Sequence, residues 1–193
     1  MKTLRQQLAQ YASYHRDPRN VATHFAGIPL IVLALVALLS RPALSLGGLG
    51  FTPAWPLALA ACVYYLLLDR PLGLAMCVLF ALALRAGAWA AALPTPGWLS
   101  VGVGGFVVGW VFQFVGHAWE GRKPAFVDDL VGLLIGPLFV VAEAAFLLGL
   151  RKPLRVAVDA DADRLRAAFS ARGSTSTRAP DHCETPTGGS GRP

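Results

Sequence analysis

Residues 21–39 read VATHFAGIPLIVLALVALL, a run that contains no Asp, Glu, Lys or Arg. A helix of about 20 apolar residues crosses the roughly 30 Å hydrocarbon core of a bilayer. Further apolar runs follow at about 54–68, 72–93, 98–118 and 130–150. The chain of 193 residues is 15% charged, whereas soluble domains average about 25%. These features predict an all-α fold, a polytopic transmembrane helical bundle.

The runs predict four spanning helices plus a broken or re-entrant fifth. Gly136 and Pro137 lie in the middle of run 130–150 and predict a break there, which would return the chain to the side it came from. We expect residues 1–152 to form a single integral membrane domain. Residues 153–193 are expected to be a polar C-terminal tail, disordered from about residue 170, where Gly, Ser, Thr and Pro dominate.

The N-terminal segment predicts an amphipathic helix, because Leu4, Leu8, Tyr11 and His15 fall on one helical face. Such a helix either lies in the membrane interface or docks on the bundle. The dipeptide 17–18, Asp-Pro, ends it: Pro disfavours helical geometry at the preceding residue, and Asp followed by Pro is a favourable start for the next helix.

Positive charge is asymmetric along the chain, whose net charge is +6. Lys and Arg concentrate before run 21–39, in the turn after run 54–68 and after run 98–118, and only one Arg lies in the other two loops. The positive-inside rule therefore predicts a cytoplasmic N-terminus. We expect an integral membrane protein, located in the bacterial inner membrane. Because the charge flanks apolar runs, we expect membrane lipid and not nucleic acid as its partner.

Three of the four histidines lie near the same predicted membrane face. His15 and His24 are nine residues apart, on opposite faces of one continuous helix, and can converge only because Pro18 breaks the chain between them. His117 lies at the cytoplasmic end of its run. We interpret the three as a metal site at the membrane surface, with Asn20 orienting a ring or a substrate. In the alternative interpretation, His15 is an interfacial aromatic residue and His24 caps a helix.

Two carboxylates could complete this site. Glu120 is three residues after His117, so both share a helical face. Glu120 would be a second ligand, would orient the histidine, or would form a salt bridge with Arg122 or Lys123. Glu143 lies within an apolar run, where a carboxylate is costly, so it has a functional role or forms a structural pair with Arg85. Imidazole with carboxylate suits non-haem Fe(II), and histidines alone also suit zinc.

Two motifs carry a family resemblance. The first is Tyr14-His15-x4-Asn20-x3-His24-x2-Gly27-x-Pro29. The second is Gln113-Phe114-x-Gly116-His117-x2-Glu120-Gly121-Arg122-x-Pro124-Ala125. From about Leu4 to Gly149, the chain resembles the small integral membrane family that includes the fungal endoplasmic-reticulum 2-hydroxy fatty acid dioxygenase.

The resemblance implies an Fe(II)-dependent dioxygenase that uses O2 to cleave a 2-hydroxy fatty acid to the acid one carbon shorter, a step of fatty acid alpha-oxidation. It implies His15, His24 and His117 as metal ligands. The fungal enzyme has a further histidine where this chain has Arg16. If that histidine were a ligand, Glu120, Glu143 or an additional water would replace it.

The substrate would chelate iron through its carboxylate and hydroxyl, and its acyl chain would lie between helices. We predict Arg16, Arg19 or Arg122 as carboxylate-binding residues. We predict Asn20, Glu120 and Glu143 as catalytic residues.

Two other functions fit the pattern less well. The chain could be a non-catalytic membrane scaffold, or a lipid- or zinc-binding protein. It could also be a small transporter that uses Glu143 and Arg85, although only one run is interrupted. Gly105-x-x-x-Gly109 makes a homo-oligomer possible.

Overall fold

The structure is a computed structural model and describes residues 2–42, 44–46, 49–121 and 131–176. A π-helical turn at Ser100–Gly104 joins the helix Thr95–Leu99 to the helix Gly105–Glu120 without a break. The elements in chain order are α1 (Leu4–Ala12), α2 (Pro18–Leu39), β1 (Leu44–Leu46), β2 (Leu49–Phe51), α3 (Ala54–Leu68), α4 (Arg70–Ala91), α5 (Thr95–Leu99), α6 (Gly105–Glu120), α7 (Val131–Leu147) and α8 (Lys152–Ser176).

The predicted helical bundle is confirmed in its main features. Three helical segments are long and apolar enough to cross a membrane: α2, α4 and the continuous stretch Thr95–Glu120. The helices α3 and α7 are also apolar but have only 15 and 17 residues. The fold departs from a purely helical one at the loop after α2, where β1 and β2 form an antiparallel hairpin that pairs Leu44 with Phe51.

The junction between α1 and α2 forms as the sequence predicts. Asp17 caps α2 by accepting a hydrogen bond from the backbone N–H of Arg19 at 2.8 Å, and Pro18 occupies the first turn. The predicted apolar face of α1 is buried, with Leu4, Leu8 and Tyr11 all below 10% exposed. The face packs against α7 and α8, so α1 docks on the bundle.

The antiparallel packing of α2 on α6 is the most extensive helix contact among the described residues, and glycines make it possible. A Cβ atom at Gly27 would lie 2.8 Å from the backbone oxygen of Gly109. A Cβ atom at Gly109 would lie 2.6 Å from Cγ1 of Ile31, and one at Gly116 would overlap Asn20. Small residues let the two backbones approach this closely. The contact brings the start of α2 beside the end of α6.

The predicted break at Gly136 and Pro137 is wrong, because α7 continues through both residues from Val131 to Leu147. A proline within an apolar helix is tolerated where neighbouring helices cover the freed backbone groups, and α7 packs against α1, α2 and α4. Arg151, four residues after the end of α7, forms an ion pair with Asp69 at the α3–α4 turn (2.7 Å).

The chain ends up on the same side of the bundle before and after α7. The end of α6 bonds to the α1–α2 junction through Glu120. The start of α8 contacts the α3–α4 turn, where Tyr64 of α3 also accepts a hydrogen bond from Gln7 of α1. Both ends therefore lie on the side of the bundle that carries α1, which we call the α1 side.

The expected tail forms α8, a helix that reaches Ser176. The helix extends past residue 170, residues 177–193 lie outside the described part of the chain, and the expected disorder stays a prediction. The helix forms because apolar residues recur at helical spacing, and Val158 and Ala162 are buried against α1. Arg5 and Asp161 add an ion pair at 2.6 Å. The domain boundary at residue 152 stays a prediction.

We predict that Gly109→Ala destabilises the protein by about 1–3 kcal/mol, because the added methyl group overpacks the α2–α6 contact. Gly104→Ala is the matched control, since a Cβ atom there meets no heavy atom within 4 Å. The control should be neutral or slightly stabilising. Thermal unfolding in detergent measures both variants, and equal midpoints would contradict the close contact.

Candidate metal centre

The structure brings His15, His24 and His117 together at the α1 side. His15 lies in the junction between α1 and α2, His24 in the second turn of α2, and His117 in the last turn of α6. One nitrogen of each ring can be chosen so that all three lie within 4.8 Å of one another. All three side chains are buried, at 3%, 1% and 6% exposed. The predicted convergence is confirmed, and the three rings are buried within the protein.

Backbone carbonyls fix the protonation of two rings. Nδ1 of His15 lies 2.7 Å from the carbonyl oxygen of Tyr11, and Nδ1 of His24 lies 2.8 Å from that of Asn20. A carbonyl oxygen can only accept, so each Nδ1 carries the proton and donates it. Each Nε2 therefore has a free lone pair, and the two Nε2 atoms are 3.0 Å apart.

This arrangement fits a metal ion. Two lone pairs at this separation repel each other unless a proton or a metal ion lies between them. Metal–imidazole bonds of about 2.0–2.1 Å at right angles place two nitrogens about 3 Å apart. Burial, followed by the charge of a protonated His24, lowers the pKa of His15 well below its ordinary range, so its ring is neutral and able to coordinate. A carbonyl-bonded Nδ1 is also the usual support for a metal-binding histidine.

Aromatic rings hold the cluster from the α1 side. The ring of Tyr11 stacks on that of His15, with centroids 4.2 Å apart and planes 7° from parallel. Phe139 of α7 packs against both rings at 4.8 and 5.8 Å. These contacts restrict the orientation of His15, which lies outside any helix.

Glu120 binds the junction that carries His15 and lies outside the three-histidine group found among the described residues. Its Oε2 accepts hydrogen bonds from the backbone N–H groups of Arg16 (2.9 Å) and Asp17 (2.7 Å) and from the side chain of Asn20 (3.3 Å). Its Oε1 accepts one from Arg166 of α8 at 2.9 Å. The side chain is 1% exposed. Both oxygens are thus occupied by donors.

The other two residues predicted as catalytic lie nearby with different partners. Asn20 is fully buried; its backbone oxygen orients His24 and its side chain donates to Glu120. Glu143 of α7 lines a cavity of about 540 Å³ together with His15, Arg16, Arg155 and Asp159. Within the described residues Glu143 and Arg85 form no ion pair, and the structural pair considered from the sequence is not found.

Two of the three predicted carboxylate-binding arginines pair with aspartates. Arg16 pairs with Asp159 at 2.8 Å and with Asp163, both on α8. Arg19 pairs with Asp17 at 2.7 Å and stacks over Trp119, with its side chain 64% exposed. Arg122 lies outside the described residues.

An apolar cavity of about 350 Å³ opens from the histidines into the bundle between α2, α6 and α7. Ile31, Leu35 and Phe106 are among the apolar residues along its wall, and Tyr11, His24, Gln113 and His117 supply its polar atoms. A second cavity of about 370 Å³ between α2, α4 and α7 shares three lining residues with it, namely Ile28, Val32 and Pro137.

Sequence reasoning missed several residues at this site. Gln113 is part of the second motif, but no role was assigned to it. The residues of α8 that contact the junction were also missed, because the segment was interpreted as a tail. The sequence does contain a pattern that predicts this helix, since apolar residues recur at helical spacing at Leu154, Val158, Leu165 and Phe169.

Comparisons with known proteins agree with the motif resemblance. The family model described as "2-hydroxy-palmitic acid dioxygenase Mpo1-like" matches residues 1–148. The chain is 34% identical over 160 residues to the 2-hydroxy-palmitic acid dioxygenase MPO1 of Saccharomyces cerevisiae, which covers 82% of this chain and 88% of the yeast protein. No solved structure matches. The chain therefore belongs to the Mpo1-like family of 2-hydroxy-palmitic acid dioxygenases.

Proposed function

We propose that this protein is an Fe(II)-dependent dioxygenase that cleaves a long-chain 2-hydroxy fatty acid to the acid one carbon shorter. The observation that carries the proposal is the geometry of His15 and His24, whose free Nε2 lone pairs face each other at 3.0 Å beside an apolar cavity. Family membership supplies the reaction class.

The reaction balances with dioxygen as the only oxidant. The bond between C1 and C2 breaks, C2 is oxidised to a carboxylic acid and C1 leaves as carbon dioxide. For 2-hydroxyhexadecanoic acid the products are pentadecanoic acid, carbon dioxide and water. Bound Fe(II) would supply the one-electron chemistry that lets dioxygen react with a closed-shell substrate.

Three histidines would leave coordination positions for the substrate and for dioxygen. A 2-hydroxy acid can chelate through its carboxylate and its hydroxyl group. Neither Glu120 nor Glu143 belongs to the ligand group, so the substrate and water would fill the remaining positions. The alternative function, a zinc-binding protein without catalysis, would use the same histidines. The identity of the bound metal distinguishes the two functions.

The acyl chain would occupy the apolar cavity beneath the histidines. Its volume of about 350 Å³ lies within the range of roughly 300–1,000 Å³ that is typical of ligand pockets. The neighbouring cavity shares part of its wall, so a chain could enter from the bilayer between α2, α4 and α7. The buried cluster would thereby receive its substrate from the lipid side.

The membrane arrangement is part of the proposal. We propose that α2, α3, α4 and the continuous α5–α6 segment cross the bacterial inner membrane, and that α7 returns to the face from which the chain left. The ion pair between Arg151 and Asp69 supports the return, since it joins the end of α7 to the α3–α4 turn. The positive charges near α1 favour the cytoplasm for this side.

We propose that Glu120 and Asn20 position the histidines without touching the reacting atoms. Glu120 holds the backbone on which His15 lies, and Asn20 holds the ring of His24. Arg16 would act in the same way through α8. The catalytic role of Glu143, which lies beside His15 and Arg155, stays a prediction. The substrate-binding role of Arg122 and the homo-oligomer also stay predictions.

We predict that alanine at any one of His15, His24 or His117 lowers bound metal to less than a tenth of the wild-type content. Metal analysis of protein purified in detergent measures this loss. His182→Ala is the matched control, because it removes the remaining histidine of the chain, and it should leave the metal content unchanged. Equal metal contents in all four variants would contradict the site.

We predict that Fe(II)-loaded protein consumes O2 and converts 2-hydroxyhexadecanoate to pentadecanoate. Zinc-loaded protein should bind its metal at the same site and show no turnover, because Zn²⁺ has no redox chemistry. Oxygen uptake together with product analysis by mass spectrometry measures both. Absence of turnover with bound Fe(II), or equal turnover with zinc, would overturn the proposed function.

We predict that Glu120→Gln keeps at least half of the bound metal but lowers the thermal midpoint. An amide oxygen can still accept from the junction, whereas the ion pair with Arg166 is lost. Arg166→Ala should lower the midpoint in the same direction without loss of metal. A Glu120→Gln variant that loses metal as completely as His117→Ala would identify Glu120 as a ligand.

A further inference from the structure

We propose that Gln113 binds the substrate carboxylate and so selects free 2-hydroxy acids over their neutral derivatives. This inference rests on the proposed function and assigns the residue that recognises the acidic head of the substrate. Gln113 belongs to no ligand group and has no role in the metal site described above.

Gln113 lies where the head of a substrate would be. It precedes His117 by one helical turn, so the two side chains project from the same face of α6. Both side chains line the 350 Å³ cavity, together with His24. A group bound to the histidines from the cavity side is therefore next to Gln113.

The side-chain NH2 group of Gln113 lacks an acceptor within the described part of the protein. The residue is 6% exposed, and its Nε2 atom is buried without a hydrogen-bond acceptor among the described residues. A buried amide donor that makes no hydrogen bond is energetically unfavourable. Such a cost is offset when a ligand supplies the missing acceptor.

The backbone of α2 makes room for this amide. A Cβ atom at position 27 would overlap Nε2 of Gln113, so Gly27 is needed for the side chain to lie where it does. The close contact of α2 with α6 thus places a polar group in a cavity whose remaining wall is mostly apolar.

The carboxylate is the acceptor that fits best. A chelating 2-hydroxy acid uses one carboxylate oxygen and its hydroxyl oxygen on the metal, and the second carboxylate oxygen is left over. Arg16 and Arg19 pair with aspartates, and no arginine is among the described residues that line the cavity. A neutral amide donor avoids the cost of burying a second cation beside the metal.

The test compares a free 2-hydroxy acid, whose second carboxylate oxygen can accept a hydrogen bond, with its methyl ester, in which that oxygen carries a methyl group. Anaerobic Fe(II)-loaded protein in detergent is titrated with 2-hydroxyhexadecanoate and with its methyl ester, and Kd is measured for both. The variants are Gln113→Met, which keeps the length of the side chain, and Gln113→Leu as a second apolar replacement. Phe106→Ala is the matched control, because Phe106 lines the same cavity two turns away on the same helix.

We expect both Gln113 variants to keep their iron and to bind the acid about ten- to one-hundred-fold more weakly, with little change for the ester. Phe106→Ala should weaken acid and ester by the same factor. Equal weakening of acid and ester in the Gln113 variants would show a packing role and overturn the inference, as would unchanged binding of the acid. Wild-type protein that binds iron but not the acid would overturn both this inference and the proposed function.

Discussion

The close antiparallel contact of α2 with α6 is the constraint on which the site depends. Gly27, Gly109 and Gly116 let the two backbones approach so that His24 and His117 face each other near one end of the pair. Side chains at these positions would clash with the facing helix and push the two histidines apart. The same contact makes the space for Gln113. The packing of α2 on α6 therefore determines where His24, His117 and Gln113 lie.

The third histidine requires a different solution, because His15 lies outside any helix. Two backbone N–H groups of its junction donate to Glu120, and the stacked ring of Tyr11 restricts its imidazole. The carboxylate that holds the junction is itself held by Arg166 of α8. These contacts hold the cluster in place, and the apolar cavity extends from it into the bundle. The arrangement suits a reaction whose substrate is a lipid.

The helical bundle and the histidine cluster could be predicted from the sequence for identifiable reasons. Apolar runs reveal helices by length, the Asp17-Pro18 pair marks the junction, and charge asymmetry puts three histidines on one face. Other features depended on tertiary contacts that periodicity does not encode. Pro137 was expected to break α7, but the packing of neighbouring helices keeps that helix continuous.

The roles of the charged residues were the hardest to predict. The spacing of Glu120 from His117 fits a ligand as well as a structural acceptor, and only the positions of the junction and of α8 distinguish the two. The arginines near the histidines were expected to bind the substrate, but aspartates beyond residue 150 pair with Arg16. These aspartates were not considered as partners because they lie in the segment that was interpreted as a tail.

X-ray absorption at the iron edge of the Fe(II)-loaded protein tests the central claim most directly. The account predicts scattering from three imidazole rings at about 2.0–2.2 Å, with the remaining ligands oxygen atoms. On anaerobic addition of a 2-hydroxy acid the three imidazoles should stay and the oxygen shell should change. Fewer than three imidazoles, or a sulfur ligand, would contradict a site built from His15, His24 and His117.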